Sequence, residues 1–596
     1  MPSPSALEHF FDHLDHPWLG ICRLQQTYNH PLPTPPPRRT LSEGLHGHSR
    51  FFFPLIASNS PTTNYLYHHP SLHYRYILTP DVNMGKLGIG FRDHKWAILY
   101  CGVSTLGALC YGYDQIYYTG VLGMKPYVSD YGTSTDASGN TTLTTSFMSL
   151  TTSIIYVGEL VGALLAAPIN DRLGRKAVFY CASLCIIAGA IVQLLAHGLE
   201  GLIVLGRILI GLGIGGFTVT CLLYIGEVAP LAIRGPALMM FQFMQSCSQL
   251  VGSGITQGTE SIPNKNSYLV PMGLLILLPG VMIPFLPFTP ESPAWFAMKG
   301  RIPQAEAALR KINRSTPGYD PTAGLATLAE AADREREDAG SSTWLSLVRD
   351  PVERRKLLFS CGAMVAQQIN GIQFFYSYGV VFAQSLGIGE AFTISLITNV
   401  LQVVAVGVSV ALGNKVPRRK NLLYCSIGIF CALAVVGGLG TKGSFPTGIA
   451  AAIVVFSYVV IVCFNFSLGP LAFTIASEVA VGRNRNKIMS CSIVSFFFTV
   501  WVIAFTSPYL YYDAGLGPML GFVYCGTTLI TISYVWFCVG ETKGRTNLEI
   551  ERFFKEGVPV TKWKDHVFED DHREKFESGG KDNGETKPST KEVEGA

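Results

Sequence analysis

An amide side chain carries donors and an acceptor on one planar group, so it can meet a hydroxyl in either sense. Four such groups, Gln367, Gln368 and Gln373 with Asn370, lie within one apolar run from about Leu357 to Phe382, together with Gly371, Tyr376 and Tyr378. In hydrocarbon these groups are costly unless they face protein or water. Amides suit sugar hydroxyls, and an aromatic ring offers a flat apolar face to the C–H side of a sugar. On a straight helix at roughly 100° per residue, Gln373 would point about 240° away from Gln367. The amides converge only if the helix unwinds between them, and Gly371 is the residue that permits it. A broken helix with polar groups at mid-membrane is one way to build a transport site. The competing reading is a polar seam that glues helices together.

A second chemistry is ionisable. Asp114, in Gly112-Tyr113-Asp114-Gln115, falls 18 residues after Trp96, roughly 27 Å along a helix. A carboxylate inside a membrane is a functional candidate by default. Arg207 opens another apolar run from the same side and is its natural partner. Protonation of Asp114 would release Arg207 and ionisation would hold it, which is the behaviour proton coupling requires. Gly206, Gly211, Gly213, Gly215 and Gly216 recur in the same run as Arg207. No strand precedes them, so close helix packing explains them better than a nucleotide loop.

The third set is charged and repeats. Asp171-Arg172-Leu173-Gly174-Arg175-Lys176, Glu227 with Arg234, and Glu291 occur in the first part of the chain. Arg418-Arg419-Lys420, Glu478 with Arg485, and Glu541 follow in the second, and both Glu-to-Arg gaps are seven residues. This is an internal repeat, and ion pairs across it would form a gate. Simple anchoring by basic loops needs no acids.

The elements that must carry these residues are membrane spans. Only 14% of the 596 residues are charged and 48% are hydrophobic. Apolar runs of membrane length lie near 96–118, 146–168, 177–197, 201–223, 237–258, 268–288, 357–382, 391–412, 421–440, 447–475, 489–511 and 518–539. The fold predicted is an all-α membrane protein with twelve transmembrane helices in two six-helix bundles, residues 96–290 and 356–540. A helical linker rich in Ala, Glu and Arg, 291–355, joins them. The loops after spans 2, 4, 8 and 10 hold eleven Lys and Arg, against Lys125, Lys265 and Lys442 on the other side. That bias puts the linker and both termini in the cytoplasm and the Asn140-Thr141-Thr142 sequon outside.

Residues 1–95 hold 10 of the 13 histidines and a Pro31–Pro37 tract, which predicts a disordered extension. His9, His13 and His16 share a helical face, but no ligand set with metal geometry is evident, so no metal is expected. Met84 could equally begin a shorter chain. The tail, 541–596, reads as cytoplasmic and, beyond about 557, disordered. Most of the 14 cysteines sit in apolar runs and read as small buried residues. A net charge of +4 gives no reason to expect a nucleic-acid partner.

At these motifs the chain resembles the sugar porter family of the major facilitator superfamily, and a fungal member most of all, over about residues 95–560. The match rests on Gly112-Tyr113-Asp114, Asp171…Gly174-Arg175-Lys176, Gly206-Arg207, Glu227…Arg234-Gly235, Pro290-Glu291-Ser292-Pro293, Gln367-Gln368…Gly371 and Glu541-Thr542-Lys543-Gly544. The resemblance implies that Gln242, Gln367 and Gln368 bind sugar and that Asp114 and Arg207 mark a proton-coupled member. It also implies cytoplasmic pairs of Arg175 with Glu227, Arg234 with Glu291, Arg418 with Glu478 and Arg485 with Glu541. Departures from the family pattern are Gln373 and Gln402 in place of Asn, Phe473 in place of Trp, Ala294 in place of Arg, Asn414 and Pro417 in the second gate loop, and Gly540 in place of Pro.

These readings together predict a sugar transporter of the plasma membrane, driven by protons, that moves a mono- or disaccharide by alternating access. Gln242, Gln367, Gln368, Gln373, Tyr378, Gln402 and Phe473 would line its site. Its partners would be sugar, protons and the lipid bilayer; no cofactor is called for, and no covalent chemistry, so it would not be an enzyme. A passive facilitator, a porter for a polyol or quinate-like solute, and a non-transporting sugar sensor are the alternatives.

Overall fold

The computed structural model describes residues 94–566 and 568, apart from 136–138, 140, 317, 342–343 and 413–415. The expectations for the amino-terminal extension, for Asn140, for Asn414 and for the far tail lie outside the described residues.

Twelve spans form two halves of six. In the first half α1 (Lys95–Leu122) is followed by a short α2 (Lys125–Tyr131) and a small antiparallel hairpin, Ser134–Thr135 against Thr141–Thr142. Then come α3 (Thr145–Leu173), α4 (Arg175–Leu194), α5 (Glu200–Val228), α6 (Leu231–Glu260) and a sixth span in two pieces, α7 (Asn266–Leu274) and α8 (Leu277–Phe285). That interruption has a local cause. Pro279 has no N–H for the carbonyl of Leu275.

Four helices make the linker: α9 (Pro293–Met298), α10 (Ile302–Ile312), α11 (Thr322–Ser341) and α12 (Trp344–Arg349). It touches both halves. Arg314 lies over the Trp96 ring, 3.1 Å from its centroid, and Trp295 donates to the Asp171 carbonyl. Asn484, before the eleventh span, donates to Ser346.

The second half begins with a span in two pieces, α13 (Pro351–Gln368) and α14 (Ile372–Ser385), then α15 (Ala391–Leu412) and α16 (Arg418–Gly440). The tenth span is α17 (Thr447–Cys463) and α18 (Gly469–Val479), joined by a π-helical turn over Phe464–Leu468. Pro470 at the start of α18 cannot donate to the ladder, and the backbone slips register just before it. The last two spans are α19 (Arg485–Pro508), continued by Tyr509–Asp513, and α20 (Leu520–Cys538). A final amphipathic helix, α21 (Asn547–Glu556), opens with a reciprocal Thr546–Glu549 cap.

Among the described residues nine helical segments are long and apolar enough to cross a membrane by composition alone. The three spans that fall short are α1, α6 and α13–α14. They are the ones that carry Asp114, the glutamines Gln242, Gln245 and Gln249, and Gln367 to Gln373.

Glycine sets how closely α3 and α5 approach. A side chain at Gly211 or Gly215 would overlap the carbonyl of Ile155 or of Glu159. The expectation of close packing for these glycines is met. Gly540 has a similar cause: a side chain there would run into the Trp563 ring, which packs face to face on Phe553 at 5.0 Å.

Candidate functional site

The helix break falls where the glycine allows it. Gly371 has φ 77°, and a side chain there would collide with the Tyr524 ring. Asn370 caps both pieces. Its amide nitrogen donates to the Gln367 carbonyl at 3.0 Å, and its oxygen accepts the Ile372 N–H at 3.0 Å. Carbonyls released by the break are taken up by α20: Thr527 donates to Ile369, and Thr531 to Ala366. Asn370 is therefore committed to the fold.

The glutamines are differently placed. Gln367 donates to the Gly469 carbonyl at 2.7 Å, beside the π-helical turn, while its own amide oxygen is buried without a hydrogen-bond partner. The amide oxygens of Gln368 and Gln402 are likewise buried and unpartnered. Gln402 donates to Gln249 across the two halves. Gln373 also bridges, donating to the Tyr156 hydroxyl of α3 and to Ser377. Gln242 and Phe473 are half-buried, and Phe473 packs one edge against Phe496 with ring centroids 5.2 Å apart.

Tyr378 departs from the sequence expectation. Its hydroxyl donates to the Ala504 carbonyl at 2.8 Å, so it braces α14 against α19 instead of presenting a free hydroxyl. Residues that the sequence reading passed over stand nearby. Gln249 faces Gln402, and Asn465 in the π-helical turn donates to the Tyr376 hydroxyl at 2.6 Å. The signal for Asn465 was present, since a lone Asn before Gly469-Pro470 in an apolar span marks irregular backbone.

Asp114 and Arg207 meet as expected, at 2.9 Å, with their side chains 1% and 4% exposed. Arg207 also donates to the Thr151 carbonyl at 3.2 Å, and its guanidinium lies 4.3 Å from the centre of the Tyr118 ring. The second carboxyl oxygen of Asp114 is buried without a hydrogen-bond partner.

At the Arg175 end of the bundle two of the four implied ion pairs form. Arg175 pairs with Glu227 at 2.6 Å, and Arg418 pairs with Glu478. Each pair joins helices of one half, so neither closes a gate across the halves in this conformation. Arg234–Glu291 and Arg485–Glu541 are replaced by something else. Glu291 accepts the backbone N–H groups of Arg175 and Lys176, at 3.0 and 3.1 Å, capping α4. Glu541 does the same for Arg418 and Arg419 of α16, at 3.0 and 3.2 Å. A carboxylate against free N–H groups at a helix start gains two charge-assisted bonds at once. Arg234 instead donates to the Ala229 carbonyl. Arg485 lines a cavity of about 840 Å³ with Asp350, Glu353 and Glu551, beneath the second half and away from the glutamines. The Asp171 side chain is exposed.

Hydrogen bonds between the halves gather elsewhere. Thr119 donates to the carbonyls of Tyr376 and Ser377, and Gln384 to that of Gly123. Thr145 donates to Asp513, Ser149 to the Phe505 carbonyl, and Gln257 to Thr393. With Gln373–Tyr156 and Gln402–Gln249, these bonds among the described residues run from mid-span to the Lys125 end. The halves are sealed together there.

Residues 100–554 match the family model described as sugar (and other) transporter. A low-affinity glucose transporter of Saccharomyces cerevisiae is 27% identical over 467 residues, covering 77% of this chain and 82% of that protein. The major facilitator-type transporter ecdD of Aspergillus rugulosus is 28% identical over 488 residues, covering 78% and 89%. Among solved structures, the E. coli xylose transporter XylE in a partially occluded inward-open conformation superposes with TM-score 0.63 at 19% identity, over 76% of this chain and all of the other. The proton:xylose symporter XylE bound to 6-bromo-6-deoxy-D-glucose gives TM-score 0.63 at 20% identity, over 78% and 100%.

Proposed function

The chain belongs to the sugar transporter family of the major facilitator superfamily, and on that premise we propose that it takes up a mono- or disaccharide together with a proton by alternating access. Its family moves solutes and does not transform them. The observation that carries the substrate class is the set of buried, unpartnered amide oxygens on Gln367, Gln368 and Gln402 around a broken helix. Buried acceptors are costly unless something donates to them, and sugar hydroxyls are donors of the right kind. Gln242, on the half-buried side, and the accessible face of Phe473 complete the site; Gln373 lends it rigidity from the rim. The yeast relatives described as glucose and hexose transporters support the same class.

Proton coupling is supported by Asp114 held against Arg207 in a buried site, and by the likeness to a proton:xylose symporter. In this reading the two halves, 96–290 and 356–540, rock about the glutamines. The Arg175 end faces the cytoplasm with both termini and the linker 291–355, and the protein sits in the plasma membrane. The conformation sealed at the Lys125 end is then the one open to the cell interior.

Labelled-sugar uptake into cells that lack their own transporters tests the proposal. A panel of hexoses, pentoses and disaccharides, with polyols and quinate as competitors, is expected to identify a sugar. Accumulation should collapse on adding an uncoupler. Competition by acids or polyols alone would refute the substrate class, and uptake indifferent to the uncoupler would make this a facilitator. Gln368→Ala is expected to raise the half-saturating sugar concentration about twofold to twelvefold, the worth of one neutral hydrogen bond of about 0.5–1.5 kcal/mol.

A further inference from the structure

Glu159 has no part in the reading so far, yet it is the most fully buried acid in the described chain. It is 0% exposed, at the middle of α3, and both of its carboxyl oxygens are buried without hydrogen-bond partners. An ionised carboxylate in such a place is far costlier than a neutral one.

Its neighbourhood is specific. Arg207, Gly211 and Gly215 follow each other at four-residue steps on the face of α5 turned to α3. They lie beside Thr151, Ile155 and Glu159 in that order, through the Arg207 bond to the Thr151 carbonyl and the two glycine contacts. Glu159 therefore sits two turns from Arg207 toward the Arg175 end, about 12 Å along the axis. Its side chain leans back toward Arg207, as helical side chains lean toward the amino terminus. The titratable groups close enough to act on it electrostatically are Tyr111 and Asp114 from α1, Arg207 from α5 and Tyr156 from its own helix. Tyr156 is the residue that Gln373 bonds at the rim of the glutamine site.

Counting charges in this enclosure gives the inference. Two carboxyls share a single fixed cation, Arg207. For side chains this deeply buried the neutral arrangement is one ionised carboxylate on Arg207 and one protonated carboxyl. Arg207 already holds Asp114 at 2.9 Å, which leaves the proton to Glu159. We propose that Glu159 is a second, inner proton-holding carboxyl that shares Arg207 with Asp114. A proton arriving on Asp114 frees Arg207 to turn to Glu159, which ionises and releases its own proton toward the Arg175 end. One O–H bond forms and one breaks, and the enclosure returns to its starting charge. The Tyr156–Gln373 bond ties that exchange to the sugar site. The inference rests on the symport reading above.

Two measurements on purified full-length protein in vesicles test it. Infrared difference spectra across a pH titration should carry the carbonyl stretch of a buried protonated carboxyl, and Glu159→Gln should delete it. The same variant should keep sugar exchange between equal concentrations while its accumulation ratio under a proton gradient falls to about one. If Glu159→Gln does not purify as a single species, Glu159→Asp replaces it, with accumulation retained and the infrared band shifted. A parent that accumulates sugar and a variant that keeps both the band and the accumulation would overturn this inference alone. A parent that never accumulates sugar would overturn the symport reading, and the role of Glu159 with it.

Discussion

Asp114 and Arg207 illustrate how much of one site single residues disclose. Their types and positions in apolar runs were enough to pair them, because an acid and a base inside a membrane have few other places to go. Asp114→Asn should abolish accumulation while leaving exchange, read as uptake with and without a proton gradient. Arg207→Ala should be worse tolerated. It leaves a buried carboxylate uncompensated, at a cost of about 3–5 kcal/mol, and should lower the yield of folded protein in detergent chromatography. Residue type was a poorer guide for Tyr378, which was expected to line the sugar site and instead spends its hydroxyl on the Ala504 carbonyl of another helix. Which acceptor a side chain finds depends on helices that sequence order alone does not bring together.

At the scale of elements the break in the seventh span was legible, because Gly371 lies between amides that a continuous helix would scatter. Gly371→Ala combines a positive φ with a collision against Tyr524. The backbone part alone costs roughly 1–3 kcal/mol. A large fall in melting temperature is expected, against little change for Gly389→Ala, which meets open space. The gate pairs were half legible. Arg175–Glu227 and Arg418–Glu478 form, but Glu291 and Glu541 go to helix starts, since backbone N–H groups at a first turn carry no sequence signature. Glu291→Gln and Glu541→Gln should each loosen the adjoining loop, seen as faster hydrogen exchange at Arg175–Lys176 and Arg418–Arg419 respectively.

The closing helix α21 gives a pH expectation of its own. Burial pushes the Glu549 carboxyl up, but bonds from Thr546 and Arg545 outweigh it and hold the group below the usual glutamate range. A depressed value means the cap is complete above the ordinary glutamate pKa and is lost as pH falls through the lowered one. Proteolysis of the tail should therefore rise only under strongly acid conditions, and Glu549→Gln should bring that susceptibility to neutral pH.

For the whole molecule, the sequence disclosed twelve spans and their duplication but could not disclose which end is shut, because both conformations of a rocking protein share one sequence. The bonds joining Thr119, Ser149 and Gln384 to backbone carbonyls of the opposite half answer that. Cysteines placed at Thr145 and Asp513, in a background stripped of native cysteine, should cross-link, stop transport, and recover it on reduction. Continued transport after full cross-linking would mean that this end need not open.

Nearly all of those inter-half bonds are between uncharged groups, and among the described residues no ion pair joins the first half to the second. Ionic strength screens charges across a Debye length of about 10 Å at 0.1 M, but it has almost no hold on a hydroxyl donating to a carbonyl. Exchange turnover should therefore change by less than about twofold between about 0.05 and 0.5 M salt. A carrier hinged in this way would keep its pace in dilute and in brackish surroundings alike.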